Sequence, residues 1–116
     1  MPHKVFVYGT LKKGFGNHRR LGESPLVGKC SIPGTMYSLG PYPAITTEQP
    51  NGPVAGEIYE VTDSVLDSLD ALEGHPTFYR RIKTETPLGE AWVYTMDHVN
   101  TCRDYGYPIV ESGVWD

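Results

Sequence analysis

Short runs of apolar and β-branched residues, separated by glycine and proline, indicate that most of this chain forms strands. The run Lys4–Tyr8 (KVFVY) is nearly continuous and ends at Gly9, which is typical of a strand that is covered on both faces and lies centrally in a sheet. Residues 54–61 alternate behind the turn signal NGP at 51–53. This alternation predicts a second strand.

Further turn signals divide the rest of the chain. Four more strands are predicted in two pairs, each joined by a turn: Leu26–Ile32 with Thr35–Leu39 across Pro33-Gly34, and Tyr79–Thr86 with Ala91–Met96 across residues 87–90. The segment Gly40–Pro43 (GPYP) predicts a rigid, aromatic-lined loop, because its two prolines restrict the backbone. Residues 17–21 predict a short helical piece with Asn17 as its cap.

One segment has helical periodicity. Thr62 or Asp63 caps a helix that runs to about Glu73, and Gly74 ends it. About six strands and one main helix predict an α+β protein whose sheet curls into a small barrel, because closure removes exposed strand edges. Periodicity alone leaves an open sheet as the alternative.

Length and charge limit the classes of protein to consider. A chain of 116 residues predicts a single domain, residues 1–116, with one site. The formal net charge is -4, which excludes binding of nucleic acid through an overall positive charge. No apolar run approaches the ~20 residues that cross a bilayer, and the first residues lack the zones of a signal peptide. We therefore expect a soluble, cytoplasmic protein without nucleic-acid or membrane partners.

The basic residues and the cysteines add little further chemistry. Residues 1–29 are mostly basic in charge and surround a glycine-rich loop, which would attract a small carboxylate; a solvated positive rim is the alternative. Cys30 and Cys102 are predicted to be reduced thiols, because two cysteines are too few for a disulfide scaffold and lack redox or zinc spacing. No metal-ligand spacing is found, so no metal or other cofactor is expected.

Glu73 is the first candidate for chemistry. Advancing about 100° per residue along the helix places Glu73 inside the leucine-rich stripe and puts Asp63, Asp67 and Asp70 on the outward side or its border. A carboxylate among leucines is costly unless a partner or a task compensates it, and burial would raise its pKa toward that of a general base at neutral pH. The alternative is a structural glutamate that snorkels or pairs with a basic residue of the next strand: Arg80, Arg81 or Lys83.

The loop Tyr8–Leu11, directly after the first strand, is the second candidate. Gly9 permits a ligand to approach the backbone closely, and successive N–H groups beyond a strand end can form an anion-binding nest. Thr10 adds a hydroxyl group. The loop lacks the glycine spacing and the Gly-Lys-Ser/Thr ending of a phosphate loop. A structural turn is the alternative interpretation.

Five motifs follow one another along the chain: VFVYGTLKKGFGNHRRL near the start, Tyr42-Pro43-Ala44, the strand GEIYEV, the helix end LDALEG and the following FYRR. In this order they resemble the gamma-glutamylcyclotransferase-like superfamily, and within it the gamma-glutamylamine cyclotransferase and AIG2-like branch. The resemblance covers the chain from Val5 to about Tyr94. It implies a compact mixed barrel with flanking helices and a cavity that holds a gamma-glutamyl group.

The resemblance also implies a reaction and a set of site residues. The backbone of the YGTL-type loop would bind the glutamyl head at these positions: Tyr8, Gly9, Thr10 and Leu11. Glu73 would be the general acid and base while the substrate's α-amine attacks its γ-carbonyl, releasing 5-oxoproline and a free amine without a metal. Tyr79 and Tyr94 are candidates for the cavity wall, and ordinary strand packing is the alternative for both.

Two other functions remain open. A noncatalytic module could use the same pocket to bind an acidic metabolite or a partner's terminus. A single-strand nucleic-acid barrel would use Lys12, Lys13, Arg19 and Arg20, but the net charge opposes it. His18 and His75 are weaker candidates for a general base. Neither the leaving amine nor the oligomeric state follows from the sequence.

Overall fold

The structure is a computed structural model that describes residues 2–48, 50–97 and 106–116. Within these ranges the chain forms six strands and one α-helix: β1 (His3–Val7), β2 (Leu26–Ser38), β3 (Pro43–Thr46), β4 (Gly52–Val61), α1 (Asp63–Glu73), β5 (Arg80–Thr86) and β6 (Gly89–Thr95). A 3₁₀ turn, His18–Leu21, stands between β1 and β2. Cys102 lies outside the described residues, whereas Cys30 is a free, partly exposed thiol.

The six strands form one curled, mixed sheet. Their order is β3-β2-β4-β1-β6-β5, in which β1 is parallel to β6 and every other neighbouring pair is antiparallel. The sheet curls so far that β3 approaches the end of β6, where the Met96 N–H donates to the Ile45 carbonyl at 2.9 Å. The predicted α+β class, with about six strands in a curled sheet and one main helix, is confirmed.

β1 lies in the interior of the sheet, as the sequence predicts. Val5 and Val7 join the core cluster that also contains Leu69 of α1, while Phe6 belongs to the second core cluster on the other face. All three side chains are almost completely buried. Because successive side chains of a strand point to opposite faces, β1 contributes to both cores at once. The loop that follows β1 therefore begins at an interior strand of the sheet, between β4 and β6.

The predicted turn at Pro33-Gly34 is wrong, because β2 runs through it without interruption. Pro33 lies opposite Pro53 and Gly34 lies opposite Gly52 in the register with β4. The glycine allows a close approach of the chain: a Cβ at Gly34 would lie 3.1 Å from the Thr46 carbonyl oxygen on β3. The turn predicted at residues 51–53 (NGP) is also shorter than expected, because Gly52 and Pro53 already belong to β4.

β3 is not predicted from the sequence. Its first residue, Pro43, belongs to the predicted loop Gly40–Pro43, and its other residues were not predicted as a strand. Residues 43–46 pair antiparallel with residues 35–38 at the end of β2. The predicted irregular loop is therefore confined to residues 40–42. Pro43 occupies the first position of the strand, where a residue without an N–H group is tolerated.

α1 begins and ends where the sequence predicts. The Thr62 hydroxyl accepts a hydrogen bond from the Val65 N–H at 3.3 Å, and Gly74 closes the helix in the left-handed conformation with φ of 67°. Leu66 and Leu69 are buried against the sheet. These two ends fix the position of Glu73 in the last turn of the helix.

The C-terminal residues lie on the curled sheet. The Val110 N–H donates to the Met36 carbonyl at 2.8 Å, and the Ala55 N–H donates to the Gly113 carbonyl at 2.9 Å. The longest helix, α1, has 11 residues, and nowhere in the described chain is a helix long and apolar enough to span a membrane.

Candidate active site

A pocket lies where β1 ends beside the last turn of α1. Its free volume is about 40 Å³, more than the ~10–15 Å³ that one water molecule needs. All seven predicted site residues line it: Tyr8, Gly9, Thr10, Leu11, Glu73, Tyr79 and Tyr94. Phe6, Val7 and Pro43 complete the lining. The structure therefore brings both candidate features, the helix-end carboxyl and the strand-end loop, to one place.

Burial dominates the electrostatics of Glu73. It raises the pKa of the carboxyl from 4.5 to about 7, because the charged form loses hydration. Within the described residues, no group makes a hydrogen bond or an ion pair with this carboxyl. A carboxyl with this pKa is present in both protonation states at neutral pH. It can therefore accept a proton and return it.

The basic residues of β5 are engaged elsewhere. Arg81 donates through Nε and Nη2 to the two carboxylate oxygens of Asp70, at 2.7 and 3.0 Å. Lys83 Nζ lies 3.4 Å from Glu90 Oε1 on β6. Arg80 is exposed and forms no ion pair in the described part of the chain. Pairing of Glu73 with a basic residue of the following strand, one of its two structural alternatives, is therefore wrong.

The loop that lines the pocket together with Glu73 has three consecutive backbone N–H groups. Among the described residues, no acceptor takes the N–H groups of Gly9, Thr10 or Leu11. Gly9 and Leu11 are buried, and buried N–H groups are nearly always hydrogen-bonded in folded proteins. A run of such groups at a strand end attracts an anion or a carbonyl oxygen. The pocket is therefore lined both by a loop with unused backbone donors and by a carboxyl whose pKa is about 7.

Asn17 and His18 hold this loop in place from behind. The Asn17 side chain donates to the Thr10 hydroxyl at 2.9 Å, and the Asn17 N–H donates to the Thr10 carbonyl at 3.0 Å. The His18 ring nitrogen bonds the Leu11 carbonyl at 3.0 Å. Asn17 occupies the predicted cap position before the 3₁₀ turn, but its side chain makes no capping bond and its amide binds the loop instead.

Gly9 is required by a close approach to Pro43. A Cβ at Gly9 would lie 2.7 Å from Cγ of the Pro43 ring, which is closer than real Cβ atoms come. The Tyr79 hydroxyl fixes the same segment by donating to the Pro43 carbonyl at 2.6 Å. Pro43 was not predicted as a site residue, although its place in the YPA motif was a signal in the sequence for this wall.

Tyr94 forms the wall next to Glu73. Its ring is buried, and its hydroxyl donates to Asp70 Oδ1 at 2.6 Å. Burial, followed by this hydrogen bond to a carboxylate, raises the pKa of the phenol. The Tyr8 hydroxyl in turn donates to the Tyr94 carbonyl at 2.6 Å. Tyr79 and Tyr94 both line the pocket as predicted, and their part in binding a substrate remains a prediction.

Asp70 corrects the helical-wheel interpretation. It was expected on the outward side of the helix or at its border, but its side chain is only 18% exposed and lies between Arg81 and Tyr94. Burial alone would raise its pKa; the hydrogen bonds from Arg81 and Tyr94 outweigh burial and hold the pKa below its usual value. The available signal was its position three residues before Glu73, on the same side of the helix. Asp63 and Asp67 are exposed as predicted.

The remaining candidates lie outside the pocket lining. His18 binds the loop, and His75 accepts a hydrogen bond from the Arg81 N–H at 3.2 Å. Burial raises the pKa of the Cys30 thiol, which does not favour a reactive thiolate. In residues 2–48, 50–97 and 106–116, no group of three or more His, Cys, Asp or Glu side chains could hold a metal ion.

Solved structures define the class to which this fold belongs. The Escherichia coli protein ytfP, determined by solution NMR, is 36% identical with a TM-score of 0.73; the match covers 97% of this chain and 95% of that one. An AIG2-like protein of mouse, solved by crystallography, is 26% identical with a TM-score of 0.75, over 95% of this chain and 86% of that one. The chain has the fold of AIG2-like proteins.

The sequence comparison specifies the family. The model for "gamma-glutamyl cyclotransferase, AIG2-like" proteins matches residues 5–116, and the chain belongs to this family. The Escherichia coli YtfP relative carries the family's name, and the gamma-glutamylaminecyclotransferase of Bos taurus is 36% identical over 78% of this chain and 64% of the bovine chain. The resemblance stated from the motifs is thereby confirmed, as is the prediction of a gamma-glutamylcyclotransferase type of enzyme.

Proposed function

We propose that this protein cyclises gamma-glutamyl amines or gamma-glutamyl amino acids, forming 5-oxoproline and releasing the free amine. One observation carries the proposal: Glu73, whose carboxyl has a pKa of about 7 and no protein partner in the described chain, lines the same pocket as Gly9, Thr10 and Leu11, whose N–H groups have no acceptor there. The names of the family and of the bovine relative support the substrate class.

The N–H groups of Gly9, Thr10 and Leu11 would hold the substrate's α-carboxylate. This contact orients the α-amine toward the γ-carbonyl carbon, and because the reaction is a ring closure within one molecule, positioning supplies much of the acceleration. The free volume of about 40 Å³ is small beside the roughly 300–1,000 Å³ of sites for drug-sized ligands. Binding a whole gamma-glutamyl group therefore requires the lining side chains to shift.

Glu73 would carry protons between the two nitrogen atoms. The α-nitrogen enters as an ammonium group, forms a bond to the γ-carbon and ends as the N–H of the lactam, so it loses two protons. The bond from the γ-carbon to the leaving nitrogen breaks, and that nitrogen gains two protons as it leaves as an ammonium ion. The reaction needs neither water nor a co-reactant, and a carboxyl with a pKa near neutrality suits both transfers.

The test is release of 5-oxoproline from a panel of gamma-glutamyl amines, gamma-glutamyl dipeptides and glutathione. We expect turnover by the wild type and a loss of at least about 100-fold in Glu73→Gln, since general acid–base catalysis contributes about 10²–10⁴-fold. Asp67→Asn, an exposed acid on the same helix, is the matched control and should retain full activity.

Equal product release by the wild type and Glu73→Gln would end the enzymatic assignment. Binding of gamma-glutamyl ligands by both proteins, without turnover by either, would instead show the noncatalytic module. We further place the reaction in the cytoplasm, the location that the sequence predicts. Recovery of the protein in a membrane or extracellular fraction would contradict this placement.

A further inference from the structure

Three side chains from different elements form a hydrogen-bond network that includes one residue of the pocket lining, Tyr94. Asp70 on α1 receives two hydrogen bonds from Arg81 on β5 and one from the Tyr94 hydroxyl on β6, all between 2.6 and 3.0 Å. The Arg81 guanidinium also lies over the Trp92 ring, 4.3 Å from its centroid. Three elements thus converge on one carboxylate that does not itself line the pocket.

This network fixes what the Tyr94 phenol can do. Its only proton is donated to Asp70 Oδ1, and burial together with the nearby carboxylate raises the pKa of the phenol. Toward a ligand in the pocket, the oxygen can therefore act only as a hydrogen-bond acceptor. Without Asp70, the hydroxyl would be free to rotate and to donate instead.

The Asp70–Arg81 pair keeps this arrangement electrically balanced beside Glu73. An unpaired carboxylate three residues before Glu73 would oppose the ionised form of Glu73. The two hydrogen bonds from Arg81 are bidentate, a geometry that resists rotation of the carboxylate. Both side chains are 18% exposed, so solvent screens the pair only in part.

We propose that Asp70 is a positioning residue, which fixes the Tyr94 phenol as an acceptor for the α-ammonium group of the substrate. The inference rests on the proposed function, because the ammonium group must lie near Glu73 to lose its proton there. The N–H groups of the loop hold the carboxylate of the substrate, and Tyr94, which lines the same pocket and lies close enough to Glu73 to feel its charge, supplies a complementary acceptor.

The test compares two ligands in a Glu73→Gln background, in which turnover is slowed enough for binding to be measured. The ligands are gamma-glutamylethylamide and glutaric acid monoethylamide, which lacks only the α-ammonium group. We expect Tyr94→Phe to weaken binding of the first ligand about tenfold and of the second less than twofold, as measured by calorimetry. Asp70→Asn should weaken the same ligand selectively, and the combined variant should bind no more weakly than Tyr94→Phe, because the two residues act as one unit.

Equal losses for both ligands, additive losses in the combined variant or no binding of gamma-glutamylethylamide would overturn the proposal. Tyr94→Phe removes one oxygen atom and keeps the buried ring, so the test does not depend on Asp70→Asn folding well. Arg81→Met should reduce the preference for gamma-glutamylethylamide over glutaric acid monoethylamide, and Arg81→Lys should reduce it less. Asp67→Asn should leave this preference unchanged. Selective binding without 5-oxoproline formation in the Glu73 wild type would refute the proposed function alone.

Discussion

Glu73 shows how one side chain acquires a chemical role from its surroundings. A glutamate at a solvated helix end has a pKa near 4.5, but burial beside the pocket raises that of Glu73 to about 7. As a base it must be ionised before it accepts a proton from the substrate. We therefore expect kcat/KM for 5-oxoproline formation to rise with pH and to level off above about pH 7.

A pH–rate profile of the wild type and of Asp67→Asn checks this expectation. The two profiles should coincide, because the Asp67 side chain is exposed. An acidic limb near pH 4.5 in either protein would show that the Glu73 carboxyl is hydrated during turnover, which contradicts its burial.

The same raised pKa predicts a pH-dependent cost in stability. The native state binds the Glu73 proton more tightly than the unfolded chain does, so Glu73 stabilises the fold below about pH 4.5 and loses this contribution as the pH rises to about 7. Glu73→Gln does not titrate. Relative to the wild type, its free energy of unfolding should increase by about 1–3 kcal/mol between pH 5 and pH 8, measured by urea denaturation. A difference that stays constant with pH would contradict this prediction.

Gly9 allows a prediction at the pocket loop itself. A Cβ at this position would meet the rigid Pro43 ring at 2.7 Å, so Gly9→Ala should destabilise the protein by about 1–3 kcal/mol and reduce turnover. Gly16 in the same segment is the matched control, because a Cβ there would meet nothing within 4 Å. Urea denaturation of both variants measures the effect. Equal stability of Gly9→Ala and Gly16→Ala would show that the loop adapts freely.

The sequence predicts Glu73 but not Asp70, and the reason is physical. Helical spacing reports the direction in which a side chain leaves the helix, and it placed Glu73 inside the apolar stripe. It reports nothing about partners from other elements. Asp70 becomes half-buried because Arg81 and Tyr94 arrive from β5 and β6, which no local pattern reveals.

At the scale of elements, α1 is the part of the fold that local signals determine best. Its cap, its apolar stripe and its terminal glycine agree with one another, and the structure has the helix at these bounds. β2 was divided in error, because Pro33-Gly34 satisfies the rules for a turn while pairing with β4 as a strand. The difference between a turn and a close approach of strands depends on β3 and β4, which lie outside the local window.

The capping bond of α1 gives a prediction for this element. Thr62→Ala removes the acceptor of the Val65 N–H and should cost about 1 kcal/mol in the free energy of unfolding. Thr62→Ser keeps the hydroxyl and is expected to remain close to the wild type. Urea denaturation distinguishes them. If Thr62→Ala and Thr62→Ser are equally stable, the capping bond contributes nothing to the stability of the fold.

For the whole molecule, the pocket depends on topology more than on any single element. Its walls come from the end of β1 and the loop after it, the end of α1, the start of β3 and β6. Parallel pairing of β1 with β6 brings Tyr94 beside Tyr8. Pattern and spacing predict the elements but not this pairing; the order of the motifs, through their family resemblance, placed the site residues in a common cavity.

The C-terminal residues connect the sheet to the pocket loop, and this connection can be tested. Lys12, which follows the loop, donates to the Trp115 carbonyl at 2.7 Å, and Gly113 lies so close to the Pro53 carbonyl oxygen that a Cβ would come within 2.0 Å of it. Gly113→Ala should therefore displace the C-terminal segment from β4 and weaken the hydrogen bond from Lys12 to the Trp115 carbonyl.

Gly106→Ala separates this clash from backbone strain. Both glycines have a positive φ, 68° at Gly113 and 66° at Gly106, but a Cβ at Gly106 would meet nothing within 4 Å. Strain alone should cost each variant about 1–2 kcal/mol. The clash should make Gly113→Ala less stable than Gly106→Ala by a further 1 kcal/mol or more, by the roughly 1–3 kcal/mol scale of overpacking. Equal free energies of unfolding would contradict this prediction, because the clash with the Pro53 carbonyl would then cost nothing beyond the strain.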